Sequence, residues 1–160
     1  MQYWLLKTEP ATFSVEDLER APRRTTGWDG VRNYQARNML RDGMKRRDQA
    51  FLYHSSCEVP GIAGIVEVVK EGYPDPTAFD KRHHHYDPDS DPADPRWYMV
   101  DVKLVRRLSR VITLTELRSK GRELAGMVLL RAGNRLSVMP VDDGHWRLIL
   151  ALESRARGER

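Results

Sequence analysis

The densest set of metal-ligating side chains in the sequence is the run His83-His84-His85. Consecutive residues splay to different sides in any regular element, and no pair stands at the i,i+4 spacing that puts two ligands on one helix face. The spacing therefore predicts a solvated loop tip, with no metal and no other cofactor, and His54 and His145 stand alone. Nucleophilic chemistry is no better served. No serine lies in a G-x-S-x-G turn, and Cys57, the single cysteine, sits in a polar stretch and reads as a small hydrophobe. Gly61-x-x-Gly64 and Gly27-x-x-Gly30 lack the full glycine patterns of phosphate-cradling loops. Carboxylates are numerous, but nothing in their order says which pair converges, so acid–base hydrolysis stays open.

A different chemistry fits a set of aromatic and polar residues that fall in loops and at strand ends. Trp4, Trp28, Tyr53 and Trp97 are interleaved with Lys7, Arg32, Asn33, His54, Ser55 and Arg96. These are the types a base-binding site needs. Aromatic faces stack on a base at about 1–3 kcal/mol each, amides and hydroxyls read its edge, and lysine or arginine holds the backbone phosphates. Taken singly, a tryptophan in a strand is as well explained by core packing. Trp28 is the exception, lying between Gly27 and Gly30 in a charged loop. The expected base-binding set is Trp4, Trp28, Asn33, Tyr53, His54, Ser55 and Trp97, with Lys7, Arg32 and Arg96 on phosphates and no catalytic residue.

Those side chains must be positioned by the elements around them. Gln2–Leu6 reads as a strand ended by Glu9-Pro10. Ser14 with Asp17 forms a capping box for a helix that Pro22 stops, and Phe13 and Leu18 have the spacing of a hydrophobic staple. Residues 23–32 show neither period and read as an ordered loop. Asn33 then caps a helix through Gly43, which serves as its left-handed terminator. Gln49–His54 and Ile62–Lys70 are rich in β-branched and aromatic residues and read as core strands. Tyr73–Arg96 holds Pro74, Pro76, Pro88, Pro92 and Pro95 and predicts a long irregular excursion. Trp97–Leu108 alternates as a half-buried strand. Thr113 with Glu116 opens a short helix, and Leu124–Leu130 reads as a second one ended by Gly133. Arg135–Val141 is a last strand broken by Pro140, and Asp142 or Asp143 caps a helix carrying Trp146, Ile149, Leu150 and Glu153. Scattered strands with short helices between them argue for an α+β domain around a mixed or antiparallel, barrel-like sheet.

The bulk properties agree. At 160 residues the chain has room for one domain, read as residues 1–153, followed by a basic tail over 154–160. Twenty-seven Lys+Arg against 23 Asp+Glu give a charge of +4 and a pI near 9.4, which favours a polyanionic partner if the charge is gathered on one face. The tail arginines Arg155, Arg157 and Arg160 would add only a diffuse field. No apolar run approaches the roughly 20 residues of a membrane-spanning helix. The opening Met1–Lys7 lacks the basic and apolar regions of a secretory signal, so a cytosolic location is expected.

Several long motifs, in order, carry a family resemblance. They are Tyr3-Trp4-Leu5-Leu6-Lys7-Thr8-Glu9-Pro10, Trp28-Asp29-Gly30-Val31-Arg32-Asn33-Tyr34-Gln35-Ala36-Arg37-Asn38 and Phe51-Leu52-Tyr53-His54-Ser55. Further along come Gly61–Ile65, Tyr73–Asp80, Pro95-Arg96-Trp97 and Arg135–Val141. Over nearly its whole length the chain resembles the EVE domain family of the PUA-like superfamily. The resemblance implies a small twisted mixed or antiparallel β-barrel flanked by short helices, related to the YTH and SRA readers of methylated bases. It implies a pocket at the barrel mouth that takes one flipped modified base, with modified cytosine in DNA or RNA the usual substrate. Cys57 and the three histidines occupy loops outside those motifs. The expectation is thus a non-catalytic nucleic-acid-binding module. Its rivals are a carboxylate-dependent nuclease or base hydrolase of the same superfamily and a binder of a free nucleoside.

Overall fold

An apolar run without polar alternation marks a strand buried on both faces, and two such runs form the centre of the fold. The computed structural model describes residues 1–155. In it Tyr3–Thr8 (β1) and Gln49–His54 (β3) lie side by side as a parallel pair. Trp4, Leu5 and Leu6 are all buried, as are Ala50, Phe51, Leu52 and Tyr53. Because successive side chains point to opposite faces, Trp4, Leu6 and Leu52 enter one core while Leu5, Phe51 and Tyr53 enter another.

Antiparallel pairing extends the sheet from β3 to Gly61–Pro74 (β4), on to Tyr98–Thr113 (β5), and finally to the short Thr25–Gly27 (β2). On the other side β1 pairs with Val138–Val141 (β6), giving the order β2-β5-β4-β3-β1-β6. Pro140 lies within β6, at the sheet's edge, where a residue with no N–H to donate is tolerated. β4 and β5 run further than their alternation predicts, because their register shifts at four places. Each shift is by an odd number of residues, three between Ile62 and Gly64 and one at the others, so it exchanges inward and outward positions and hides the strand from a reading of period two. β2 lies inside the stretch read as a loop, and three residues carry too little pattern to be recognised.

Helices cover both faces. Val15–Arg20 (α1) has the expected capping box: Ser14 accepts from Asp17 N–H and the Asp17 carboxylate accepts from Ser14 N–H. Tyr34–Asn38 (α2) starts at Asn33 as expected but passes into a wider turn over Met39–Gly43. Gly43 does not end it in the left-handed region; a Cβ there would lie 3.0 Å from the Trp4 ring, so close approach, not dihedral freedom, is what calls for glycine. Leu114–Ser119 (α3) is capped by Thr113, and the Glu116 carboxylate pairs with Arg110 at 2.7 and 2.9 Å. The helix expected over Leu124–Leu130 shrinks to one tight turn at Val128–Leu130, while Gly133 does take a left-handed φ of 73°. Asp143–Glu153 (α4) buries Trp146, Ile149 and Leu152.

The mixed α+β architecture is as expected. Among the described residues, however, no pairing joins β2 to β6, so the barrel is not closed by a hydrogen-bonded ladder. No helix among them is long and apolar enough to cross a membrane. Of the expected basic tail, Arg155 is described, and its carbonyl accepts from Arg110 Nε at 3.1 Å. Arg157 and Arg160 lie outside the described residues.

Candidate functional site

Strands β2 and β1 stand near opposite ends of the sheet order, yet Thr26 and Gly27 of one and Lys7 and Thr8 of the other line the same cleft. Ser137, just before β6, lines it too. The sheet therefore curls until its ends face each other across an opening that no ladder fills. The cleft holds about 770 Å³, within the usual range for sites that enclose a small ligand.

The loop after β2 supplies one wall. Trp28 N–H donates to Val100 O at 2.8 Å, which fixes its ring between the core and the cleft, where it is 7% exposed. Among the described residues no other aromatic ring stacks on it. Asp29 is exposed into the cleft, and its carboxylate has no hydrogen-bond partner among the described residues. Gly30 follows with φ of 76°, and its N–H donates to the buried Asp75 carboxylate at 2.8 Å.

Arg32 also lines the cleft, but its guanidinium faces the protein. Its N–H groups donate to Val31 O, His85 O, Thr77 Oγ1 and Asp75 Oδ2, the last at 3.0 Å. A guanidinium has five N–H donors, and these five contacts occupy them. In the structure Arg32, expected on phosphates, makes the contacts of a brace that ties the Trp28 loop to the excursion after β4. Burial pushes the Asp75 carboxyl up, but hydrogen bonds from Thr77, Gly30 and Arg32 outweigh it and hold it below the ordinary range.

That excursion is pinned at several points. Trp97, buried, donates from Nε1 to Asp87 at 2.6 Å, stacks on Tyr34 with ring centres 4.9 Å apart, and carries the Arg32 guanidinium 5.4 Å above its ring. Arg96 reaches Asp87 at 3.6 Å and Asp89 O at 3.2 Å. The loop so anchored places His83, His84 and His85 along the cleft. The expectation that three consecutive histidines splay apart is wrong here. Their ring centres lie 3.9–4.8 Å from one another, because the loop turns tightly enough for Tyr86 N–H to reach His83 O at 3.0 Å. The His85 ring seats against Gly30, where a Cβ would fall 2.2 Å from it. Burial, then the neighbouring His84, lowers the pKa of His85.

The remaining expected residues lie elsewhere. Trp4 is a core residue whose Nε1 donates to the buried Asp48 carboxylate at 3.0 Å, and Tyr53 is buried in the opposite core. Asn33 caps α2 through a bond from Ala36 N–H at 3.0 Å. His54 accepts from Val15 N–H at 3.1 Å through Nε2, and burial keeps its pKa below the usual value. Ser55 N–H donates to Thr8 O at 2.8 Å. None of these five lines the cleft, nor do Trp97 and Arg96. The cleft thus unites Lys7, Trp28 and Arg32 from the expected set and adds Asp29, Ser137 and the histidine loop. Asp29 and Ser137 sit inside the quoted motifs, which is the one signal that pointed to them. Lys7 is half-buried, which lowers its pKa; its ammonium lies 6.0 Å from the centre of the Tyr53 ring and has no ion-pair or hydrogen-bond partner among the described residues.

Comparison with known proteins places this geometry. Residues 2–152 match the family model described as the EVE domain. Human thymocyte nuclear protein 1 is 47% identical over 96% of this chain and 74% of its own length. A crystal structure of the human THYN1 protein in complex with 5-methylcytosine-containing DNA superposes with a TM-score of 0.93 at 45% identity, covering 98% of this chain and 99% of that one. A Pseudomonas syringae protein superposes at 0.89 with 46% identity, covering 94% and 99%.

Proposed function

This chain belongs to the EVE domain family, and from that premise we propose that it is a non-catalytic reader of modified cytosine in DNA, taking one flipped base into the cleft beside Trp28. One observation carries the reading. A relative of almost the same backbone, with a TM-score of 0.93, has been crystallised with 5-methylcytosine-containing DNA.

The cleft's chemistry suits a cytosine. That base presents an amino donor at N4 beside two acceptors, N3 and O2. Asp29 offers an unpartnered carboxylate for the amino group, Ser137 offers a hydroxyl donor for an acceptor, and Lys7 on the rim offers a charge for the strand's phosphates. Trp28 offers a ring for stacking. Flipping a base costs a few kcal/mol of lost stacking, which such a ring returns in part. A buried methyl contributes only about 0.8 kcal/mol, roughly fourfold in affinity, so sharp discrimination requires a cavity shaped to leave a void around the unmodified base.

The test is a panel of oligonucleotides, duplex and single-stranded, differing in one cytosine modification and measured at fixed salt. Tighter binding to the modified strand, with every strand recovered intact after incubation with and without divalent metal, supports the reading. Equal affinity across the panel overturns the reader, and turnover abolished by Asp29→Asn overturns the non-catalytic reading. Binding of the free nucleoside as tight as that of the strand would shift the ligand to a small molecule.

A further inference from the structure

We propose that His83, His84 and His85 form a binding site for one divalent transition ion of the zinc class on the lip of the cleft. The three side chains offer ring nitrogens that lie within 4.8 Å of one another. A tetrahedral ion with metal–nitrogen distances of about 2.0–2.1 Å needs its ligand atoms roughly 3.3 Å apart. The shortfall is at most about 1.5 Å, shared between two side chains, and rotations about the side-chain torsions cover it by turning the rings edge-on to the ion.

Two further observations point the same way. His85 Nδ1 is buried without any hydrogen-bond partner among the described residues. A buried polar atom left unpaired costs free energy, and coordination would satisfy it. The site is also held in place. Arg32 grips His85 O at 2.7 Å, Gly30 leaves room for no side chain beneath the His85 ring, and His83 N–H is tied to Asp80 O at 2.9 Å. A preorganised backbone leaves only side-chain rotations to be ordered on binding.

One loop contact opposes the ion. His83 Nδ1 accepts from His85 N–H at 3.0 Å, and ligation through either ring nitrogen disturbs that bond. Its loss is small beside three metal–nitrogen bonds. Imidazole donors select zinc, nickel or copper over magnesium and calcium, which prefer oxygen. Three protein ligands leave a fourth position for water or an oxygen of a ligand in the cleft.

The experiment uses the full chain without a purification tag, titrated with Zn²⁺ alone by calorimetry and with Co²⁺ by visible absorption. The expected result is saturation at one ion per chain, no comparable binding of Mg²⁺, and weakening by roughly tenfold or more in both His84→Ala and His83→Ala. His145→Ala, remote from the cluster, should bind as the parent does, and unchanged melting of the His84→Ala chain in metal-free buffer separates ligation from folding. The proposal is overturned if no saturable binding appears, or if the folded His84→Ala and His83→Ala chains bind Zn²⁺ as tightly as the parent.

Discussion

The two faces of the sheet hold aromatic residues in opposite ways. On the face covered by α4, Trp146 stacks between Tyr3 and Phe51, with ring centres 4.3 and 3.9 Å away, and the cluster is closed. On the other face Trp28 belongs to an equally buried core, yet it borders the cleft and lacks an aromatic partner among the described residues. On the function proposed above, the same residue type does different work. A ring whose partners are all in the chain contributes to stability, whereas Trp28, bordering the cleft, would keep part of its stacking energy for a ligand. Burial alone does not separate the two, since Trp146 is 3% exposed and Trp28 7%.

The strongest way to break this comparison is to remove a ring from the closed face. Trp146→Ala should cost about 3–5 kcal/mol of stability, read from denaturant unfolding, while the folded fraction binds modified DNA as before. Weakened binding in that folded fraction would mean the two faces are not separable. Next in size is Arg32→Met, which leaves the fully buried Asp75 carboxylate without its cation. It should cost about 3 kcal/mol and loosen the histidine loop, seen as faster amide exchange at His85. Arg32→Lys should rescue little, because an ammonium cannot reproduce five planar donors.

Trp28→Ala sharpens the comparison from the other side. It should weaken binding by about 1–3 kcal/mol, one to two decades, through lost stacking, with a smaller stability loss than Trp146→Ala. A folded Trp28→Ala chain of unchanged affinity removes Trp28 from the site. Lys7→Gln should weaken modified and unmodified strands alike and lower the salt slope by roughly 0.7 to 0.9. A changed preference between the strands would instead assign Lys7 to base reading.

The smallest effect concerns pH. Burial lowers the His54 pKa from its ordinary value of 6.5, and the neutral ring accepts the Val15 N–H that opens α1. Below that value the unfolded chain takes up the proton first, so this contribution is present above about pH 6.5 and fades as pH falls toward the lower folded pKa. His54→Gln should flatten the loss of stability between neutral and mildly acidic pH. An unchanged profile would assign the slope to other groups.

What the sequence determined by itself is local. The capping pairs Ser14–Asp17 and Thr113–Glu116, the cap at Asn33, and the apolar runs of β1 and β3 follow from interactions a few residues long, and the structure keeps them. The motifs were long enough to identify the family, and with it the class of ligand to test. The membership of the cleft was decided elsewhere. Trp4, Tyr53 and Trp97 have the residue types of a stacking site, but the strand register and the Asp48 and Asp87 carboxylates claim them for packing. Arg32 has a charge fit for a phosphate, but Asp75, distant in sequence, takes it. The three histidines look like a splayed loop tip until the braces around Arg32 fold that loop against Gly30. Each reversal has one physical cause: a polar group answers to the partner nearest in space, and curling a sheet until β2 faces β1 sets those partners across separations that no local pattern encodes.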